Sequence, residues 1–480
     1  MHRLLSAFRL RAFPLLTLAA AAACDDPSGP GGDDPDPVPP AVASVVVVDT
    51  AGSIFRSVEV TLDSAGRVEV FYAPVAGGRV FRMRADSSAP YHEILLPRLR
   101  QATEYNLSVR SYIDATVSDS VHRSTFSTDS LPTELNQFNY SVEGTSTFEV
   151  LIVPFRSTAL GWAGQVAIDS DGEIVWFMES VGGTLVAAPV PGTHDMVFIE
   201  NGFPSDGGRN GIVRANPEGE VVALLERDAG LFGQIHHDMT AVDDDRVLFL
   251  AYDTMTVRDT LVNGEAVWEW HMSTGAVEKK WSSWDFFDWD TERGPGSSPA
   301  GWLHANSITI GPRGNVVVSS RSFSQVFSIS ADFQSIEYRV GGPAATVRLS
   351  EDDRFVSQHS AWELPGNRLL LFDNQGAGTG SSLPTSRALE LQLQLDSDTA
   401  FMVWQYDPEP DISSPLRGGV YRLASGNTVT IFASNPFKVH ETTTDGAIVW
   451  SMTGDITFTN TFRAVPWASI AGEVEVETLP

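Results

Sequence analysis

A chain of 480 residues with 61 acidic against 32 basic side chains carries a formal net charge of −29. Such a surface repels phosphate backbones, which argues against nucleic acid as a partner, and any anion site must be electropositive locally. The single cysteine excludes an internal disulfide and a thiolate-rich metal site, so stability must come from packed cores.

Residues 1–23 read as a signal peptide. His2, Arg3, Arg9 and Arg11 give a positive start, and Phe13 to Ala23 forms an apolar run too brief to span a bilayer. The run ends in Ala21-Ala22-Ala23-Cys24, which resembles a bacterial lipobox with Ala21 where leucine is usual. The expectation is a lipidated Cys24 at the mature N-terminus of an exported lipoprotein of the cell envelope. The plainer alternative is an ordinary signal peptide with Cys24 incidental. No second apolar stretch is long enough to cross a membrane, so the expected membrane contact is the lipid alone. Residues 24–41 contain the run DDPSGPGGDDPDPVPP, whose one apolar side chain is Val38. That composition describes a linker.

Residues 42–132 read as a small β unit. VASVVVVDT, SVEVTLD, RVEVFYA, RVFRMRA and YNLSVRSY alternate apolar and polar residues between turns. Leu99 to Tyr105, followed by Leu107 and Val109, resembles the tyrosine corner of immunoglobulin and fibronectin type III sandwiches.

Residues 145–475 are repetitive. One half of the repeat is a turn plus strand: PGTHDMVFIEN, DDDRVLFLAYD, PRGNVVVSSR, PGNRLLLFDN and SGNTVTIFAS. The other half ends on tryptophan, as in DGEIVWFM, NGEAVWEW, MVWQY and DGAIVWSM, and reads as a large apolar plug between neighbouring sheets. With the weaker copy at QVAIDSDGEIVW there are six units, and six units of four short strands are the arithmetic of a six-bladed β-propeller; helical periodicity is almost absent. The expected fold is all-β, with the propeller preceded by the immunoglobulin/fibronectin type III-like sandwich.

Three histidine motifs precede these strands: His236-His237-Asp238, His304-Ala305-Asn306-Ser307 and Gln358-His359-Ser360-Ala361. His237 lies nine residues before Arg246, and His359 nine before Arg368. A repeat that delivers an imidazole to one place more than once predicts that His237, His304 and His359 converge at one mouth of the axial channel. Arg321 and Asp373 end their strands six residues after Asn315 and Asn367, at what reads as one register. Imidazoles, a guanidinium and the Asn306 amide would make a local cationic pocket suited to transfer of a compact anionic group.

The order and spacing of HHD, HANSI followed by SSR, and QHSAWELPGNRLLLFDN resemble the bacterial arylsulfate sulfotransferases, six-bladed propellers with an N-terminal β-sandwich. The resemblance implies transfer of a sulfuryl group from an aryl sulfate donor to a phenol acceptor, without a nucleotide donor, a cofactor or a metal. It assigns His359 as the nucleophile that becomes transiently sulfated. It places His304, Arg321 and His237 as its catalytic partners, with Asn306 and His236 binding substrate. The chain lacks the disulfide of the best-known members, and the threonine that some members contribute from a later blade has no evident match. Two other function classes fit the same residues. Three histidines could ligate zinc or copper, and tryptophan-ended repeats also suit a quinone-dependent propeller. The whole could also be a surface-anchored binding module without catalysis.

Overall fold

The computed structural model describes residues 38–50, 53–157, 160–202, 208–376, 385–455 and 461–480. The expected signal peptide, Cys24 and most of the linker lie outside the described residues.

Six sheets of four or five strands, antiparallel except for one short edge strand, follow one another through the described residues after the N-terminal unit. Blade 2 runs from Thr184–Pro189 to Val221–Glu226, and blade 3 from Ile235–Ala241 to Val277–Ser282. Blade 4 runs from Ala305–Ile310 to Ile336–Val340, and blade 5 from His359–Leu364 to Thr399–Tyr406, with Arg348–Leu349 on its outer edge. Blades 1 and 6 are built from both ends of the region. Val465–Trp467 pairs with Val150–Ser157 as the innermost strand of blade 1, and Tyr140–Gly144 pairs with Ile448–Gly454 as the outermost strand of blade 6. This double closure joins the ring without leaving a free edge between the first and last blades.

The tryptophans fall where the repeat places them. Trp176, Trp270 and Trp450 are fully buried. Trp176 Nε1 donates to Pro217 O at 2.7 Å, Trp404 Nε1 to Thr444 O at 2.9 Å, and Trp450 Nε1 to Ser170 O at 2.9 Å. In each case the acceptor belongs to a turn of the following blade. The indole is thus an apolar plug and also a polar latch between sheets.

The N-terminal unit is built on two long strands, Arg56–Pro74 and Val80–Leu96. Arg56–Pro74 pairs with Val42–Asp49 along its first half and with Glu104–Ile113 along its second. Tyr105 is buried, and its hydroxyl accepts a 2.7 Å hydrogen bond from Arg100 N, the bond that defines a tyrosine corner. The chain returns at Val474–Val476 to pair with Val80–Leu96. Arg98 to Glu149 at 2.6 Å and Arg100 to Asp171 at 2.6 Å tie this unit to blade 1.

Candidate active site

The innermost strands of blades 3, 4 and 5 share one register. Ala241 pairs with Val247, Ile310 with Val316 and Glu363 with Leu369. Three residues upstream, Asp238, Ser307 and Ser360 each accept the amide of the next blade: Ile308 N at 3.0 Å, Ala361 N at 3.1 Å and Val420 N at 3.2 Å. These bridges fix the angular spacing of the blades and with it the residue just before each bridge.

That residue is His237, Asn306 and His359 in turn. Identical spacing therefore does put His237 and His359 in the same place. His304 departs from the expected repeat, because Asn306 occupies the equivalent position and His304 stands two residues earlier. It still reaches the channel. Each strand carries a β-bulge here, and both His237 (φ 57°) and His304 (φ 52°) adopt the left-handed backbone that re-aims a side chain. The ladders also correct the pairing of Arg321 with Asp373. Five residues beyond Val247, Val316 and Leu369 lie Tyr252, Arg321 and Asn374, so Asn374 is the counterpart of Arg321.

These side chains line a cavity of about 390 Å³ with His236, His237, Tyr252, His304, Arg321 and His359 on its wall. Arg417, Phe462 and Leu416 complete the side formed by blade 6 and the ring closure. Among the described residues no carboxylate lines it, so Arg321 and Arg417 make it cationic inside an acidic protein. Phe462 sits between two of the imidazoles, with ring centroids 5.7 Å from His237 and 6.1 Å from His359.

His359 Nδ1 lies 2.7 Å from Asn374 Oδ1, and Asn374 Nδ2 donates to Ser414 O and Arg417 O, each at 2.7 Å. Two carbonyl acceptors fix the amide so that its oxygen faces the imidazole. His359 must then carry its hydrogen on Nδ1, and Nε2 keeps the lone pair. Burial, reinforced by His304 and Arg321, pushes its pKa down to about 3, against the weaker opposing effect of the Asn374 hydrogen bond. Burial and Arg321 bring His304 down to about 4, and burial holds His237 well below the usual range. Near neutral pH these three imidazoles are uncharged bases.

The other histidines form a chain. His236 Nε2 lies 2.9 Å from Glu265 Oε2, His236 Nδ1 lies 2.8 Å from His237 Nδ1, and His237 Nε2 lies 3.2 Å from His304 Nε2. Nitrogens engaged with one another do not converge on a single point, which is unlike a metal-binding set.

Asn306 takes a different place from the expected one. It is fully buried, does not line the cavity, and donates to Gln358 O at 2.7 Å, so it holds the backbone before His359. Gln358 anchors the same segment by donating to Ser319 Oγ, Ser320 O and Gln325 O. Asp373 is buried in an ion pair with Arg387 at 3.1 Å, away from the cavity. Asp238 bridges blades and pairs with buried Arg463 at 2.5 Å. His440 is engaged by Tyr406 at 2.8 Å.

Sequence reasoning missed Asn374, Glu265, Tyr252, Arg417 and Phe462. The first three stand inside quoted repeat segments, FDN, NGEAVWEW and FLAYD, and a register taken from the strand pairs would have found them. Arg417 and Phe462 come from irregular segments and carry no such signal.

Among curated proteins none matches the chain. Solved structures are similar only distantly. A protein of unknown function from Bacteroides caccae is 14% identical, with TM-score 0.43, covering 67% of this chain and 100% of that one. The virginiamycin B lyase of Staphylococcus aureus, solved as a catalytically inactive variant with quinupristin, is 10% identical with TM-score 0.35, covering 67% and 89%. The sequence profile of the arylsulfotransferase (ASST) family matches residues 151–461, which include strands of all six blades and every named side chain of the cavity wall except Phe462, and the chain belongs to that family.

Proposed function

We propose that this protein transfers a sulfuryl group from an aryl sulfate ester to a phenol by a ping-pong route through a sulfated His359. Membership of the family supports sulfotransferase activity in general terms. The observation that carries the finer reading is the lock on His359, which leaves a neutral Nε2 lone pair beside Arg321. Nε2 attacks sulfur, the sulfur–oxygen bond breaks, and a phenolate leaves. Arg321 and Arg417 offset the charge spread over the sulfonate oxygens, and a fork of guanidinium donors suits that planar group. An acceptor phenol then attacks sulfur and displaces the imidazole. Such transfer needs positioning and charge complementarity more than covalent machinery. In this reading the protein is exported and anchored through a lipid on Cys24, which intact-mass measurement of the mature N-terminus checks.

The test is purified protein with an aryl sulfate of chromogenic leaving phenol, with and without added phenol. Rapid quench with donor alone should trap an acid-labile adduct of about 80 Da on the His359 peptide. Absence of aryl sulfate consumption at any pH rejects the reading. An adduct on another residue rejects the nucleophile.

A further inference from the structure

We propose that Glu265, His236, His237 and His304 form a proton wire that removes the acceptor's proton and returns it to the next leaving oxygen. The inference rests on the sulfuryl-transfer reading. The close contacts among these groups set a direction. Glu265 is fully buried and, when ionised, only accepts. Its Oε1 accepts from Ala305 N at 3.0 Å, and its Oε2 lies 2.9 Å from His236 Nε2. A neutral His236 beside that carboxylate carries its hydrogen on Nε2 and presents a lone pair at Nδ1. His237 must donate from Nδ1 across 2.8 Å, which leaves its Nε2 as an acceptor. His304 must donate from Nε2 across 3.2 Å, which leaves Nδ1 as the basic atom of the half-buried ring on the cavity wall. Tyr252 packs against His236, with ring centroids 4.1 Å apart and planes tilted by 30°, and holds that ring in place.

The movement balances. As the acceptor oxygen bonds to sulfur, the sulfur–Nε2 bond of His359 breaks and its electron pair returns to Nε2. The phenol proton passes to His304 Nδ1. His304 then gives its Nε2 hydrogen to His237 Nε2, His237 its Nδ1 hydrogen to His236 Nδ1, and His236 its Nε2 hydrogen to Glu265. The carboxyl is now neutral and all three rings have switched tautomer. In the next donor half-reaction the same steps run backwards, and the phenolate receives the proton as the sulfur–oxygen bond breaks. Burial disfavours an imidazolium at His237 and, with Arg321, at His304, so the proton passes along the wire rather than resting on those rings.

Glu265→Gln tests the wire. The amide oxygen keeps Ala305 N–H, so the amide hydrogens face His236 and the chain reverses, with His304 Nδ1 now carrying a hydrogen. Transfer from the sulfated enzyme to a weakly acidic phenol should fall about 100-fold or more, the usual share of a general base. Transfer to a nitrophenol, which arrives ionised, should fall far less, and Glu265→Asp should restore part of the loss for weakly acidic acceptors. A loss equal across acceptors of different acidity overturns the proposal in favour of a structural role. Nitrogen NMR of the histidine rings is the second arm and needs no activity. Wild type should show His236 protonated at Nε2, and Glu265→Gln should move that hydrogen to Nδ1. A wild-type His236 protonated at Nδ1 overturns the wire, whereas correct tautomers in a protein that consumes no aryl sulfate overturn the sulfotransferase reading instead.

Discussion

Blades 3 and 5 hold a histidine at the same register, yet the two side chains are engaged by different chemistry. His359 hydrogen-bonds to an amide that cannot take a proton, and it stands alone. His237 is the middle of a chain that ends on a buried carboxylate, which can. In the proposed mechanism, equal geometry with unequal partners separates a fixed nucleophile from a conductor of protons. Repetition explains how the imidazoles reach the channel. The partner behind each one sets what it does there.

The largest expected effect breaks the blade 5 side of this comparison. His359→Ala should lower release of phenol from an aryl sulfate by about four orders of magnitude or more, as loss of a nucleophile does. Circular dichroism should be unchanged, since the ring faces a cavity rather than a core. Retention of wild-type turnover would falsify the assignment. Arg321→Lys should cost about 100-fold in kcat, because a point charge cannot hold two sulfonate oxygens in fixed geometry; a change confined to KM would argue for simple binding. Asn374→Ala sharpens the contrast at smaller cost. It should lower kcat by about tenfold to a hundredfold by freeing the ring and its tautomer, while the adduct still forms on His359.

The smallest effect concerns acid. His359 is held near 3 and His304 near 4 in the folded protein, below the value of about 6.5 in the unfolded chain. The unfolded state therefore takes up protons that the folded state does not as pH falls below about 6.5. Stability is full above that value and is lost progressively towards the folded pKa values. The rate should stay flat on the acid side of neutrality until unfolding, not protonation of His359, ends it. Denaturant midpoints and initial rates over one pH series check both statements. A rate that halves near pH 6.5 without loss of fold would contradict the burial of His359.

The propeller was legible in the sequence because two signals recur from blade to blade, a turn before an apolar strand in blades 2 to 6 and a strand ending on tryptophan in blades 1, 3, 5 and 6. The buried indoles of Trp176, Trp270 and Trp450 show why the second recurs. Most of the site was legible too, since His236, His237, His304, Arg321 and His359 all reach one cavity. What spacing alone misread was register. Asn315 directly precedes Val316, whereas Asn367 lies one residue further from Leu369, so counting from the two turn asparagines set Asp373 where Asn374 stands, and His304 lies two residues before the position that Asn306 occupies. Partners on other strands were out of reach for another reason. Glu265 lies 29 residues from His236, and a strand-length repeat does not announce which of its polar positions faces a neighbour's ring.

The ring is closed by Val465–Trp467, and the residues just before that strand, Phe462 and Arg463, contribute an aromatic ring to the cavity and the partner of Asp238. Assembly and competence therefore coincide in time. A nascent chain that has made all the histidines still lacks a finished channel, and it acquires the last blade edge and the last wall in one docking event. Activity should consequently appear as an all-or-none property during biosynthesis, gained when the segment around residue 465 emerges and seats.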